Sequence, residues 1–208
     1  MARARSDLSV LTAIWIAGLL LSGWHPFDRT TWAMEVAPAV IALPVLWATA
    51  RRFPLTRLAL VLIAVHGLIL MLGGAYTYER VPLGYVLEQS LGLARNPYDR
   101  IGHFAQGFVP AVVFREILIR LGRLPRGVLL TGLTLACCLA VSALYELIEF
   151  GAAMGMGQGA DAFLGMQGDP WDTQWDMLTC LIGAAVSVVL LGGLHERALA
   201  RQRGVAID

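Results

Sequence analysis

Six long apolar stretches constrain this chain more than any other feature: residues 8–23, 32–50, 57–76, 98–121, 127–150 and 173–194. Each is close to the ~20 mostly apolar residues that a helix needs to cross a bilayer. They take up most of the 208 residues, leaving no room for a sizeable soluble domain. Charged residues make up only 15% of the chain, against about 25% in ordinary soluble domains. In lipid the backbone must satisfy its own hydrogen bonds, so helix is the default. The expected fold is therefore all-α, a polytopic membrane protein built as a six-transmembrane-helix bundle. Residues 1–208 form a single integral membrane domain in this reading.

The first stretch also has the outline of a signal peptide, with Arg3 and Arg5 ahead of an apolar run from Leu8 to Leu21. No small-x-small cleavage site follows. Leu20-Leu21-Ser22-Gly23 resembles a lipobox, but Trp24 stands where the lipidated cysteine is required. The stretch reads as a retained first span. Orientation follows from arginine placement, since the chain has no lysine. With the N-terminus inside, eleven arginines fall on the inner side (among them Arg51, Arg52, Arg120, Arg123 and Arg126). Four fall outside, Arg29, Arg80, Arg95 and Arg100, and Arg115 lies within the fourth span. Both termini are thus expected in the cytoplasm. Trp24, Trp32, Tyr76, Tyr78, Tyr98, Trp171 and Trp175 gather at the outer ends, as interface anchors do.

A net charge of +1 without a clustered basic face gives no footprint for nucleic acid. Cys137, Cys138 and Cys180 lie inside apolar runs, with neither disulfide nor zinc spacing, and read as small packing residues.

Mapped onto this topology, the ionisable residues are not scattered. His103 lies near the outer end of the fourth span, Glu146 and Glu149 in the last turns of the fifth, and Asp172 and Asp176 at the start of the sixth. A carboxylate inside a span costs on the order of 2.5–3.5 kcal/mol on insertion scales, so several at one depth point to function. Glu146 and Glu149 are spaced i,i+3; Asp172 and Asp176 are i,i+4, as are Asp99 and His103; Gln106 continues the His103 face. Carboxylates and one imidazole presented in pairs by facing helices suit a divalent metal. The expected ligands are His103, Glu146, Glu149, Asp172 and Asp176, with Asp99, Gln106 and Asp169 supporting them from behind. The same set could instead relay protons.

Two segments look alike: Asn96-Pro97-Tyr98-Asp99 before His103, and Asp169-Pro170-Trp171-Asp172 before Asp176. Helix capping accounts for much of this. Asn96 and Asp169 suit N-caps, the prolines suit the first helical position, and Asp99 and Asp172 favour the positive helix end. Capping does not account for His103 or Asp176. Each sits six residues past its proline, about 9 Å down the helix, so helices that start level bring the two to one depth.

The Gly- and Met-rich stretch 151–169 reads either as a mobile lid over the outer site or as a plain connector, with Asp161 solvated. His66 reads as a satisfied packing histidine. Glu35 and Glu79 read as facing water. Glu116 and Arg120, spaced i,i+4, read as a snorkelling ion pair near the inner end, and Arg115 is read the same way. Gly-x-Ser-x-Gly, His-Glu-x-x-His and Walker patterns are absent, so nothing supports a Ser or Cys nucleophile.

Three motifs carry a family resemblance. They are Tyr98-Asp99-Arg100-Ile101-Gly102-His103-Phe104, Tyr145-Glu146-Leu147-Ile148-Glu149, and Gly168-Asp169-Pro170-Trp171-Asp172-Thr173-Gln174-Trp175-Asp176-Met177. Together they resemble the YjdF family of bacterial inner-membrane proteins over most of the chain. The resemblance implies a multi-pass protein of the bacterial inner (plasma) membrane and brings no reaction with it. More distantly, Asp99-x-x-x-His103-Phe104, a helix-borne Glu146 and Asp172-x-x-x-Asp176 followed by Gly183 resemble the VanZ-like group, which is linked to glycopeptide resistance and the cell envelope. That likeness covers only the second half. It departs at Glu149, where VanZ-like members tend to have Gln, and at Thr179 or Cys180, where they have Asn. A resistance role is not carried over.

Three functions follow from these readings. The first is a metal-dependent enzyme acting on a lipid or envelope precursor, with Glu149 as general base. The second is an ion- or proton-coupled transporter. The third is a scaffold whose polar residues glue helices together. Membrane lipids and a small-molecule or lipid substrate are the expected partners.

Overall fold

The computed structural model describes residues 2–156, 167–202 and 204. Among these the chain is helical throughout, with no strand. We number the helices α1 (Ala2–Trp24), α2 (Arg29–Thr49), α3 (Arg57–Tyr76), α4 (Pro82–Leu91), α5 (Tyr98–Arg120), α6 (Val128–Met156) and α7 (Asp172–Gln202). Five of them, α1, α2, α3, α6 and α7, are long and apolar enough to cross a membrane. The sixth expected span, α5, has the length, 23 residues or about 35 Å, but carries Asp99, Arg100, Arg115, Glu116 and Arg120. It packs against α3, α6 and α7, and its Asp99, His103 and Glu116 are buried. A helix enclosed by other helices does not need an apolar circumference.

Local signals account for the helix starts. The Asp28 carboxylate accepts from the Thr31 amide at 2.7 Å and caps α2. That bond holds the carboxyl below the usual aspartate range. Thr56 caps α3 by accepting from the Ala59 amide. The two look-alike segments form the same turn: Asn96 Oδ1 accepts from the Tyr98 amide at 3.0 Å, and Asp169 Oδ1 from the Trp171 amide at 2.9 Å. Both are Asx-type closures onto the residue two ahead.

Two features differ from the sequence reading. Residues 82–91 form a ten-residue helix where only a connector was expected. Its length of about 15 Å is too short to cross a bilayer. Leu83, Tyr85 and Val86 stay exposed on it, the habit of a helix lying in the interface. The fifth long helix also continues past residue 150 to Met156. Residues 151–156 are therefore helix, while Asp161 and the rest of the proposed lid up to residue 166 lie outside the described residues.

The first three helices share one core around Leu8, Leu11, Trp15, Val36 and Met71. The last three meet around Ala111, Cys138, Cys180 and Ala184. The three cysteines are free, with Cys138 and Cys180 fully buried as packing residues. Outside the bundle, Leu20, Leu21, Ile41, Leu147 and Val189 are exposed, an apolar exterior suited to acyl chains. The tightest contact joins α5 and α7. A Cβ on Gly107 would overlap the Cys180 carbonyl oxygen, and one on Gly183 the Phe104 carbonyl oxygen. Small residues let these two backbones touch.

At the C-terminal end of α5 a polar network ties the bundle shut. Fully buried Glu116 accepts from the Thr56 amide at 3.1 Å and its hydroxyl at 2.8 Å, and it pairs with Arg120. Arg115 donates to His195 Nδ1 at 2.9 Å, which leaves Nε2 to donate to Glu116 at 3.3 Å. Arg115 and Arg126 both pair with Glu196. Glu116 and Arg115 are thus more than snorkelling side chains: they join the start of α3 to α5 and α7.

Two predictions follow for thermal melts in detergent. Gly107→Val abolishes the folded state, whereas Gly132→Ala, at a helical glycine with open space around it, is neutral or gains up to about 1 kcal/mol. Glu116→Ala costs about 3–5 kcal/mol, because its buried partners lose their counter-charge, while Arg126→Ala at the exposed rim costs about 1 kcal/mol or less.

Candidate functional site

At the opposite end of α5, the first two turns of α5 and α7 and the last turns of α6 converge. His103 on α5 is the pivot. Its Nδ1 lies 3.1 Å from Gln106 Oε1 and donates to it, which fixes the ring and leaves the Nε2 lone pair free. That Nε2 faces Asp99 Oδ1 and Asp176 Oδ1, each at 3.7 Å. Ligand atoms of Asp99, His103 and Asp176 all lie within 4.8 Å of one another. Glu146 Oε1 stands 3.8 Å from His103 Nδ1 on the third side. Glu146 Oε1 and Asp99 Oδ2 are buried with no hydrogen-bond partner among the described residues.

Chemically, this set suits a divalent cation. Ligands bound at ~2.1 Å in tetrahedral or octahedral geometry sit about 3–3.5 Å apart, slightly closer than the spacing found here. One imidazole nitrogen with carboxylate oxygens is a borderline-to-hard donor set, suited to zinc or manganese. The His103–Gln106 bond orients the ligand from behind, as metal-binding histidines require.

Asp172 is placed differently from its two neighbours. Its Oδ1 accepts from Arg95 at 2.7 Å and from Arg100 at 2.6 Å. Arg100 also pairs with Asp176, and both guanidiniums lie within 4 Å of Asp169. Asp99 spans both sides, with Oδ1 among the potential ligand atoms and Oδ2 within 4 Å of both guanidiniums, whereas Asp172 and Asp169 lie on the arginine side. Glu149 is buried on the far side of Glu146 and lines a cavity instead.

That cavity, of about 350 Å³, lies between the two halves of the bundle, and Asp99, His103, Gln106, Tyr145 and Glu149 form its polar end. Glu35, expected to face water, is buried here, and its Oε2 accepts from the Tyr145 hydroxyl at 3.1 Å. Glu79 pairs with Arg80 at 3.0 Å near the surface. His66 also lines the cavity, deeper in, and its Nε2 has no hydrogen-bond partner among the described residues, so it is not the satisfied histidine expected. Gln167 is tied to the start of α5 by reciprocal bonds with the Asn96 backbone, each 3.1 Å.

Arg95, Arg100, Glu35 and Tyr145 were not singled out as site residues from the sequence. A signal for the arginines was present: each lies next to a look-alike motif whose aspartates need counter-ions. Removing Arg100 tests that role. Arg100→Gln lowers the melting point of metal-free protein by the equivalent of roughly 2–3 kcal/mol, below the usual figure for a buried pair because Arg100 is partly exposed. An unchanged melting point would show that Arg100 does not neutralise Asp172 and Asp176.

Comparison with known proteins gives a consistent picture. A family model described as a predicted membrane protein (DUF2238) matches residues 8–197. The inner membrane protein YjdF of Escherichia coli (strain K12) is 54% identical over 185 residues, covering 88% of each chain. No solved structure matches.

Proposed function

The chain belongs to the DUF2238 family of membrane proteins and is an inner-membrane protein; from that premise we propose that it is a metal-dependent enzyme acting on a lipid or envelope precursor at the outer face of the membrane. In this reading α5 also crosses the membrane, as the fourth of six spans, and both termini are cytoplasmic, as the arginine bias suggests. The cluster around His103 then lies on the extracytoplasmic side. About 25 Å along α5 separates Asp99 from the Glu116 network, most of a ~30 Å hydrocarbon core.

The single observation that carries the proposal is the His103 geometry. An imidazole oriented by Gln106 turns its free nitrogen toward two carboxylate oxygens at 3.7 Å, beside buried carboxylate oxygens that accept no hydrogen bond among the described residues. Asp99, His103 and Asp176 hold the ion, and Glu146 stands on the Nδ1 side of the His103 ring, beside Gln106. A bound divalent ion supplies a Lewis acid for a phosphoryl or carbonyl oxygen, or an activated water. Glu149, on the cavity side, is the proton acceptor. Arg95 and Arg100 hold Asp172 and Asp169 and keep α7 docked on α5.

A second reading, polar glue, draws on the bonds that Arg100 makes to Asp172 and Asp176. Metal analysis separates the two. Protein purified without chelator carries about one zinc or manganese per chain, as sites with three protein ligands and one open position do. His103→Ala and Asp176→Ala lose it, Gln106→Ala weakens binding about 10–100-fold, and Asp172→Asn keeps it. Wild-type protein that neither retains nor takes up a divalent ion under these conditions leaves glue as the reading.

A further inference from the structure

The cavity has a shape and a charge pattern that the metal reading does not use. From Glu35 to Leu46, both of which line it, α2 advances about 16 Å. One leaflet of a ~30 Å hydrocarbon core is about 15 Å deep. Below the level of Glu35 the wall is mainly apolar, with Ala42, Leu46, Ile63, Val109 and Phe114, and His66 is its one ionisable group there. Val45 on α2 and Val141 on α6 also line the cavity, yet are 53% and 38% exposed. The cavity therefore opens sideways, between α2 and α6, toward the space that lipid occupies. Among the described residues these two helices are not a packed pair; the Tyr145–Glu35 hydrogen bond joins them at the outer end.

The polar end has one sign. Glu35, Asp99 and Glu149 line it, and no arginine does; Arg95 and Arg100 lie outside the lining and within 4 Å of Asp99, as of Asp169 and Asp172, which leaves Glu35 and Glu149 to set the sign of this end. Such an end repels a purely anionic head and attracts an ammonium. We propose that this slot binds one acyl chain of a phospholipid with a primary ammonium head, drawn sideways from the adjoining leaflet, with Glu35 and Glu149 receiving the ammonium. The proposal deepens the enzymatic reading by naming its substrate class. It rests on that reading for what happens to the lipid, not for binding.

Native mass spectrometry of the full chain in detergent tests it, with equimolar phosphatidylethanolamine and phosphatidylglycerol of identical chains. Wild-type protein retains phosphatidylethanolamine about tenfold over phosphatidylglycerol, a difference of about 1.4 kcal/mol. Glu35→Gln combined with Glu149→Gln brings the ratio to about one while some lipid stays bound. Val141→Trp and Val45→Trp, one on each lip, each reduce bound phosphatidylethanolamine about tenfold. Melting curves identify any variant that fails to fold, and the opposite lip or the glutamine pair then decides. Asp176→Ala, at a proposed ligand that does not line the cavity, loses the metal and keeps the lipid preference, so failure of the metal reading and failure of this one are distinguishable. A wild-type ratio near one, or folded lip variants that bind as before, overturns the proposal.

Discussion

The backbone contact between α5 and α7 sets the geometry on which the rest of the site depends. Gly107 lies four residues below His103, and Cys180 four below Asp176. Where the first pair touches backbone to backbone, the second pair, one turn higher, is brought to 3.7 Å. Both helices run in the same direction from the outer end, so their Asx turns, first-turn aspartates and second-turn ligands stay in step. In lipid there is no hydrophobic drive to bring helices together, and small residues supply the fit. A larger side chain at Gly107 or Gly183 would part the donors by more than a metal site tolerates, even if the helices still associated.

The two ends of the bundle treat buried charge in opposite ways. At the inner end Glu116 has Thr56, Arg120 and His195 around it, and Arg115 turns the His195 ring into the tautomer that can donate. At the outer end five carboxylates, Asp99, Asp169, Asp172, Asp176 and Glu146, share two arginines, and two of their buried oxygens have no hydrogen bond among the described residues. Burying an unpaired charge costs several kcal/mol. Protein that only needed stability would be expected to balance both ends alike. The imbalance is the physical reason to place a cation, and so function, at the outer one.

Much of this was legible in the sequence, and the gaps have physical causes. The proline spacing puts His103 and Asp176 at one depth because a helix rise is fixed at ~1.5 Å per residue. Apolar runs marked the long helices because lipid exposes them. Arg95 and Arg100 were read only as votes for topology, since an arginine outside a span looks the same whether it meets water or folds back onto α7. Glu35 was missed because its meaning depends on Tyr145, 110 residues away, and no spacing rule links α2 to α6. Helix α4 escaped because a ten-residue interfacial helix has too little apolar length to register as a span and no soluble core to pattern it.

The sideways opening and the proposed cation site also constrain each other. The Gln167–Asn96 tie and the Arg95 and Arg100 guanidiniums lie at the start of α5, on the side where it meets α7. A lipid entering between α2 and α6 meets neither. It reaches Glu35 and Tyr145 first, and the carboxylate–imidazole cluster only through the wall formed by Asp99 and His103, the two residues that belong to both cavity and cluster. With low-dielectric walls on the bilayer side, charge there acts over longer distances than at a hydrated surface. A divalent ion at His103 and an ammonium at Glu35 would then be held apart by residues of α5 that serve both, leaving the atoms of the lipid head between them as the place where chemistry can occur.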